Sequence, residues 1–203
     1  PYPFPPSDNI ISESTNRNRE HLPSEDAKAP LLELIHHICV EKQGKIIIPA
    51  FSIDRTQEII FLLDQLAHEE KLPEIKVYVD SPLSVKATQV MSLHRESFNP
   101  SILDYISRDG DPFAFHNLHY VSKLDESKAI NEEKQPSIII SASGMADAGR
   151  VKHHIANNIE NPNCAILLVG YASPRSLAGQ LIEGREEVKI FGDIKKVRAE
   201  IHR

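Results

Sequence analysis

Hydrophobic positions along this chain fall into two alternating patterns. Short runs that are apolar almost throughout (45–51, 137–141 and 164–169) alternate with longer segments whose apolar residues recur every three to four positions. The first pattern belongs to strands covered on both faces, the second to amphipathic helices packed on them. In order, the pattern predicts a proline-rich extended lead-in over 1–7, a short strand over 9–15 and a charged loop from Asn16 to Pro23. A helix follows, capped by Ser24-Glu25-Asp26, carrying Leu31, Leu32, Leu34, Ile35 and Ile38, and ended by Gly44. Strand 45–51 leads to helix 54–71, opened by Asp54 as N-cap, and strand 75–79 leads to helix 82–97, opened by Pro82. Residues 98–117 read as irregular. Strand 118–121, helix 125–133, strand 137–141, helix 148–160, strand 164–169 and helix 176–183 come next, and strands 188–191 and 196–202 close the chain around Gly192-Asp193. Such alternation predicts βαβ units, and so a three-layer α/β fold with a mainly parallel sheet flanked by helices.

Composition narrows the classes. Of 203 residues 40% are hydrophobic and 26% charged, which excludes collagen-like, low-complexity and disordered chains. No apolar run approaches the ~20 residues needed to span a bilayer, and these residues contain no secretion signal, so the expectation is a cytoplasmic protein without membrane contact. Cys39 and Cys164 lie far apart in apolar surroundings, which fits a reduced protein and offers no cysteine zinc site. A net charge of −6 lacks the basic footprint of non-specific nucleic-acid binding, although residues 141–203 hold nine Lys and Arg against seven acids. That local balance fits either a modest basic groove or a solvated mixed-charge surface. The chain opens on Pro1 and stops at Arg203 inside a strand pattern, as a piece cut from a longer protein would.

Chemistry is expected at the carboxyl ends of the strands, where loops meet helix N-termini. Five such ends are polar: Glu13-Ser14-Thr15, Ser52 to Arg55, Asp80-Ser81, Ser141 to Met145 with Gly149-Arg150, and Gly170 to Ser173. Each residue alone has a bland explanation as a helix cap, and Asp54 and Asp80 are expected to be caps. The segment Ser143-Gly144 to Gly149-Arg150 could offer backbone N–H groups and a bidentate guanidinium to phosphate, but it matches neither the Walker loop nor the dinucleotide fingerprint. The ten histidines form no H-E-x-x-H or H-x-H-x-D-H cluster, and His36 and His37 point about 100° apart on a helix. No complete metal site and no covalent nucleophile arrangement is legible.

These strand-end segments resemble the motifs of the β-CASP nucleases of the metallo-β-lactamase superfamily. Glu13-Ser14-Thr15 with Asn18-Arg19 and His21 resembles the family's E-S-T-Y-G-[ND]-R-x-H, with Asn16-Arg17 standing where the family has Tyr-Gly. Ile48 to Ser52 with Arg55-Thr56-Gln57-Glu58 is similar to I-P-A-F-x-x-x-R-[TA]-Q-E. Val79 to Leu83 with Ala87-Thr88 is similar to D-S-P-L/M-A with A-T. Ser141 to Met145 with Gly149-Arg150-Val151 and His154 resembles S-x-S-G-M and G-R-V-x-x-H, and Gly170-Tyr171 with Leu177-Ala178-Gly179 and Gly184 resembles G-Y followed by [TS]-L-[GA]-x-x-[IL]-x-x-G. The matches run in family order over nearly the whole chain.

The resemblance implies an RNA hydrolase, with DNA as a further substrate class. In the intact protein two zinc ions, held by H-x-H-x-D-H and further ligands of a metallo-β-lactamase domain, would activate water against a backbone phosphorus. Into that domain the β-CASP domain is inserted. The implied division is 1–20 as the end of a metallo-β-lactamase segment, 21–186 as the β-CASP domain and 187–203 as strands returning to the first domain. No metal ligand falls in this chain. Glu13 matches the family's acidic motif beside the metal cleft and takes a catalytic, acid–base or positioning role. Arg55, Ser141, Ser143, Gly144, Arg150 and Ser173 become candidates for the RNA groove; His154 is a candidate for either RNA contact or packing. A non-catalytic RNA-binding or scaffold paralogue, and a stand-alone phospho-ligand domain, are the competing readings.

Overall fold

The structure is a computed structural model, and it describes residues 5–6, 8–11 and 27–203. Six strands form one parallel sheet: β1 (Lys45–Pro49), β2 (Lys76–Asp80), β3 (Leu118–Val121), β4 (Ser137–Ser141), β5 (Ala165–Leu167) and β8 (Glu200–His202), in the order β3-β2-β4-β1-β5-β8. A separate antiparallel hairpin joins β6 (Glu187–Ile190) to β7 (Asp193–Lys196).

The isoleucine runs create the layers. Successive side chains of a strand point to opposite faces. Ile46, Ile48, Ile138 and Ile140 therefore pack one way, against α1 (Lys28–Ile35) and α2 (Arg55–His68). Ile47 packs the other way with Ile166, against α6 (Arg150–Asn158) and α7 (Leu177–Ile182). Ile139 also faces that way, with Tyr78, Val121 and Ile130 of α5 (Leu124–Glu132). All five residues of β1 and of β4 are buried, as central parallel strands require. Each such isoleucine contributes about 1.5–3 kcal/mol on burial.

Local differences from the sequence pattern have identifiable causes. A π-helical turn, His36–Glu41, extends α1 before Gly44. Asp54 makes no side-chain cap; it is the centre of a γ-turn, with φ 68° and ψ −74° and Arg55 N–H donating to Ile53 O at 3.0 Å. Asp80 is not a cap either. The Ser81 hydroxyl caps α3 (Pro82–Leu93) by accepting from Ser84 N–H, while the Asp80 carboxylate turns inward. The supposedly irregular middle contains α4 (Pro100–Asp109), capped by Asn99 and ended at Gly110. The last expected strand is two elements: Lys196 ends the hairpin, and β8 adds to the edge of the main sheet beside β5. Residues 9–11 join no strand, and the rest of the expected first strand, with the Ser24-Glu25-Asp26 cap, lies outside the described residues. Among the described residues no helix is long and apolar enough to cross a membrane.

Candidate nucleic-acid interface

β1 is followed by a helix on one face of the sheet, while its neighbours β4 and β5 are followed by helices on the other. Chain departing to opposite sides opens a crevice at the carboxyl ends of these strands, the place where open α/β sheets bind ligands. A cavity of about 650 Å³ lies there. Its walls come from the loop after β1 (Phe51 to Arg55), from Gly144 after β4, from Gly170-Tyr171 after β5, and from Leu83 at the start of α3. The left-handed turn at Asp54 holds this rim in a conformation that a non-glycine residue adopts only under strain. Thr56 steadies it, its hydroxyl donating to Phe51 O at 2.6 Å.

Behind the cavity wall is a buried ionic cluster. Asp80, at the end of β2, accepts from Arg150 Nη1 at 2.7 Å, from His154 Nε2 at 2.6 Å and from the Ser127 hydroxyl at 2.5 Å. Arg150 also donates to Ser122 O at 2.7 Å, His154 Nδ1 meets Asn131 Oδ1 at 2.8 Å, and the Ser141 hydroxyl donates to Asp80 O at 2.7 Å. Burial pushes the Asp80 carboxyl up, but the bonds from His154, Ser127 and Arg150 outweigh it and hold the group below the usual carboxylate range. The cluster ties α5 and α6 to the end of β2 and so fixes the loop that runs from Ser141 to Gly149.

The candidates from sequence thus separate into two groups. Arg55 and Gly144 line the cavity; Ser143 and Ser173 are partly buried in the loops that form its walls. Arg55 is exposed and its Nη1 donates to Glu58 at 2.6 Å. Ser141, Arg150 and His154 belong to the cluster around Asp80. His154 has no exposed side-chain surface and Ser141 is buried, so the hydrogen-bonded, packed arrangement accounts for both in this structure. Glu13 lies outside the described residues. Among the described residues no three His, Cys, Asp or Glu side chains are placed to hold a metal ion. The zinc pair implied by the resemblance therefore does not fit these residues, and no chemical step is derived through it. Sequence reasoning gave no site role to Ile53 and treated Phe51, Leu83 and Tyr171 only as motif letters. Their signal was large apolar side chains placed beyond the ends of the buried runs.

Fold and crevice together define an α/β domain with a cleft of about 650 Å³ at a topological switch point. A family model described as the Beta-Casp domain matches residues 56–181, and the chain belongs to the Beta-Casp family. It is 28% identical over 198 residues to Ribonuclease TTHA0252 of Thermus thermophilus, covering 98% of this chain and 45% of that protein. It is 32% identical over 162 residues to an RNase J-like protein of Methanocaldococcus jannaschii, covering 80% of this chain and 36% of that one. It is 28% identical over 207 residues to Transcription termination factor FttA of Pyrococcus horikoshii, covering 98% and 31%. The chain spans less than half the length of these relatives.

Proposed function

We propose that this chain is the β-CASP portion of a zinc-dependent ribonuclease that hydrolyses RNA phosphodiester bonds. It forms one wall of the RNA cleft and is inactive alone. The observation that carries this reading is membership of the Beta-Casp family, with relatives named as ribonucleases. The cleft at the carboxyl edge supports it, since the loops that match family motifs converge there.

In this reading residues 21–186 are the β-CASP domain, and 1–20 and 187–203 lead into a metallo-β-lactamase domain of the same polypeptide. The edge strand β8 would lie near that seam. The two zinc ions belong to that domain and would supply an activated water and stabilise charge on phosphorus. Glu13 takes an acid–base or positioning role there. Arg55, Ser143, Gly144 and Ser173 contact the RNA backbone, while Ser141, Arg150 and His154 hold the loops from behind. Buried free thiols at Cys39 and Cys164 suit a reducing cytoplasm.

The test is cleavage of end-labelled RNA by the whole protein with and without a chelator. Cleavage that the chelator abolishes and added zinc restores is the expected result, with residues 1–203 alone inert. A protein that carries a full set of zinc ligands and binds RNA without cutting it would instead be a scaffold.

A further inference from the structure

The cleft is rimmed by large apolar side chains that face water. Phe51 is 52% exposed and Tyr171 46%, and Ile53 and Leu83 stand beside them. A wall that gripped only a sugar–phosphate chain would need cations and free amide donors. Among the described lining residues the one cation is Arg55, already paired with Glu58. Exposed aromatic rings in a concave site suit a different part of a nucleotide, because every base presents a π-face.

We infer that Tyr171 and Phe51 form a stacking site for a nucleobase of single-stranded RNA, so that this wall holds the strand by its bases. The inference rests on the RNA reading above. Four observations place the site. First, β1 and β5 are parallel neighbours, with Ile46 beside Ala165 and Ile47 beside Ile166. Beyond their ends the two strands feed one cavity, lined by Phe51 after β1 and by Gly170 and Tyr171 after β5. Second, a Cβ at Gly170 would meet nothing within 4 Å, so the cavity lining is open at the residue before Tyr171. Third, a Cβ at Gly144 would lie 3.1 Å from Cδ2 and 3.2 Å from Cε2 of Phe51. The backbone after β4 thus backs one side of that ring and limits where it can turn. Fourth, the cavity of about 650 Å³ falls within the range of sites that enclose a small ligand.

Stacking without many hydrogen-bond partners is tolerant of sequence. The site therefore takes any base, with purines held more firmly than pyrimidines because their stacking surface is larger. Leu83 and Arg55 also line the cavity. A second protein surface could also cover exposed rings. The concave shape and the open floor at Gly170 favour a single flat ligand over a broad contact.

The test is binding of a labelled single-stranded RNA oligomer to the whole protein by fluorescence anisotropy at one salt concentration. A matched oligomer with abasic sugars is run beside it. Tyr171→Ala should weaken binding of the base-bearing oligomer about 5- to 160-fold, the range for loss of one stacked base. Tyr171→Phe should stay within about two-fold, since it keeps the ring. The abasic oligomer should bind weakly to the unmodified protein and no more weakly to Tyr171→Ala. Phe51→Ala should behave as Tyr171→Ala does, and thermal melts of all variants separate binding loss from unfolding. Unchanged binding by both alanine variants overturns the inference, as does an equal loss on base-bearing and abasic oligomers. A variant that leaves RNA binding intact but alters domain association assigns the rings to a protein contact, which also overturns it. Failure of the unmodified protein to bind any RNA would overturn the nuclease reading itself.

Discussion

Replacing Asp80 by asparagine should destabilise the fold by about 3–5 kcal/mol, the loss expected when one member of a buried ionic group is removed. Asp80 and His154 have no exposed side-chain surface, and the Arg150 side chain is 20% exposed. Without the carboxylate the guanidinium stays largely buried with only carbonyl partners, and His154 loses its acceptor. The comparison that isolates the mechanism is the double variant Asp80→Asn with Arg150→Met. Because the double variant no longer leaves a buried guanidinium without its counter-charge, it should recover part of the loss. Urea denaturation of the four proteins gives the cycle, and a single-variant loss below about 1 kcal/mol, the range of exposed pairs, would contradict it. The pH dependence has a definite sign. A carboxyl held below its unfolded value, about 3.9, contributes stability that is present above that pH. That contribution is lost as pH falls through the lower folded value, so the asparagine variant should show a shallower acid limb.

Replacing Gly179 by alanine should cost about 3 kcal/mol, at the upper end of what overpacking costs. The added Cβ would stand 2.0 Å from Ser173 O, 2.8 Å from Ser173 C and 2.9 Å from Pro174 Cα. All three are backbone atoms, so no side chain can swing away. The loop is further pinned by Ser176, whose hydroxyl donates to Ser173 O at 2.6 Å and accepts from Gly179 N–H at 3.1 Å. Relief requires α7 and the loop carrying Tyr171 to part. The variant should therefore lose stability and RNA affinity together, measured by denaturation and by anisotropy. A protein of unchanged stability would show that the close approach is not maintained in solution.

Most of the fold was legible because central parallel strands leave a plain trace. The runs around Ile46 to Ile48 and Ile138 to Ile140 must be apolar on both faces, and both form strands where the pattern places them. Helix α4 was less visible. Its signals were Asn99-Pro100, Gly110 and the spacing of Ile102, Tyr105 and Ile106, but the surrounding Asp, Gly, Pro and Phe residues suggested a loop. Tertiary contact explains why it forms there: the Tyr105 hydroxyl donates to the buried Asp64 carboxylate of α2 at 2.6 Å. Motif spacing pointed to the carboxyl edge of the sheet, yet it could not separate a residue that faces the cleft from one that faces the core. Arg150 and Asp80 are 70 positions apart, and only folding turns the guanidinium inward. Asp54 and Asp80 have the composition of caps, and a strained turn and a buried ion cluster took them instead.

The central claim is that the carboxyl edge between β4, β1 and β5 is the wall that meets RNA. Photo-cross-linking tests it most directly: single-stranded RNA carrying a photoactivatable base is irradiated with the whole protein, and the adducts are mapped by mass spectrometry. The account predicts adducts within this chain at 51–55, 143–145 and 170–173, lost in the presence of excess unlabelled RNA. Adducts confined to the opposite edge, around Lys45, Lys76 and Glu133, or to the outer face of α3 and α4, would contradict it.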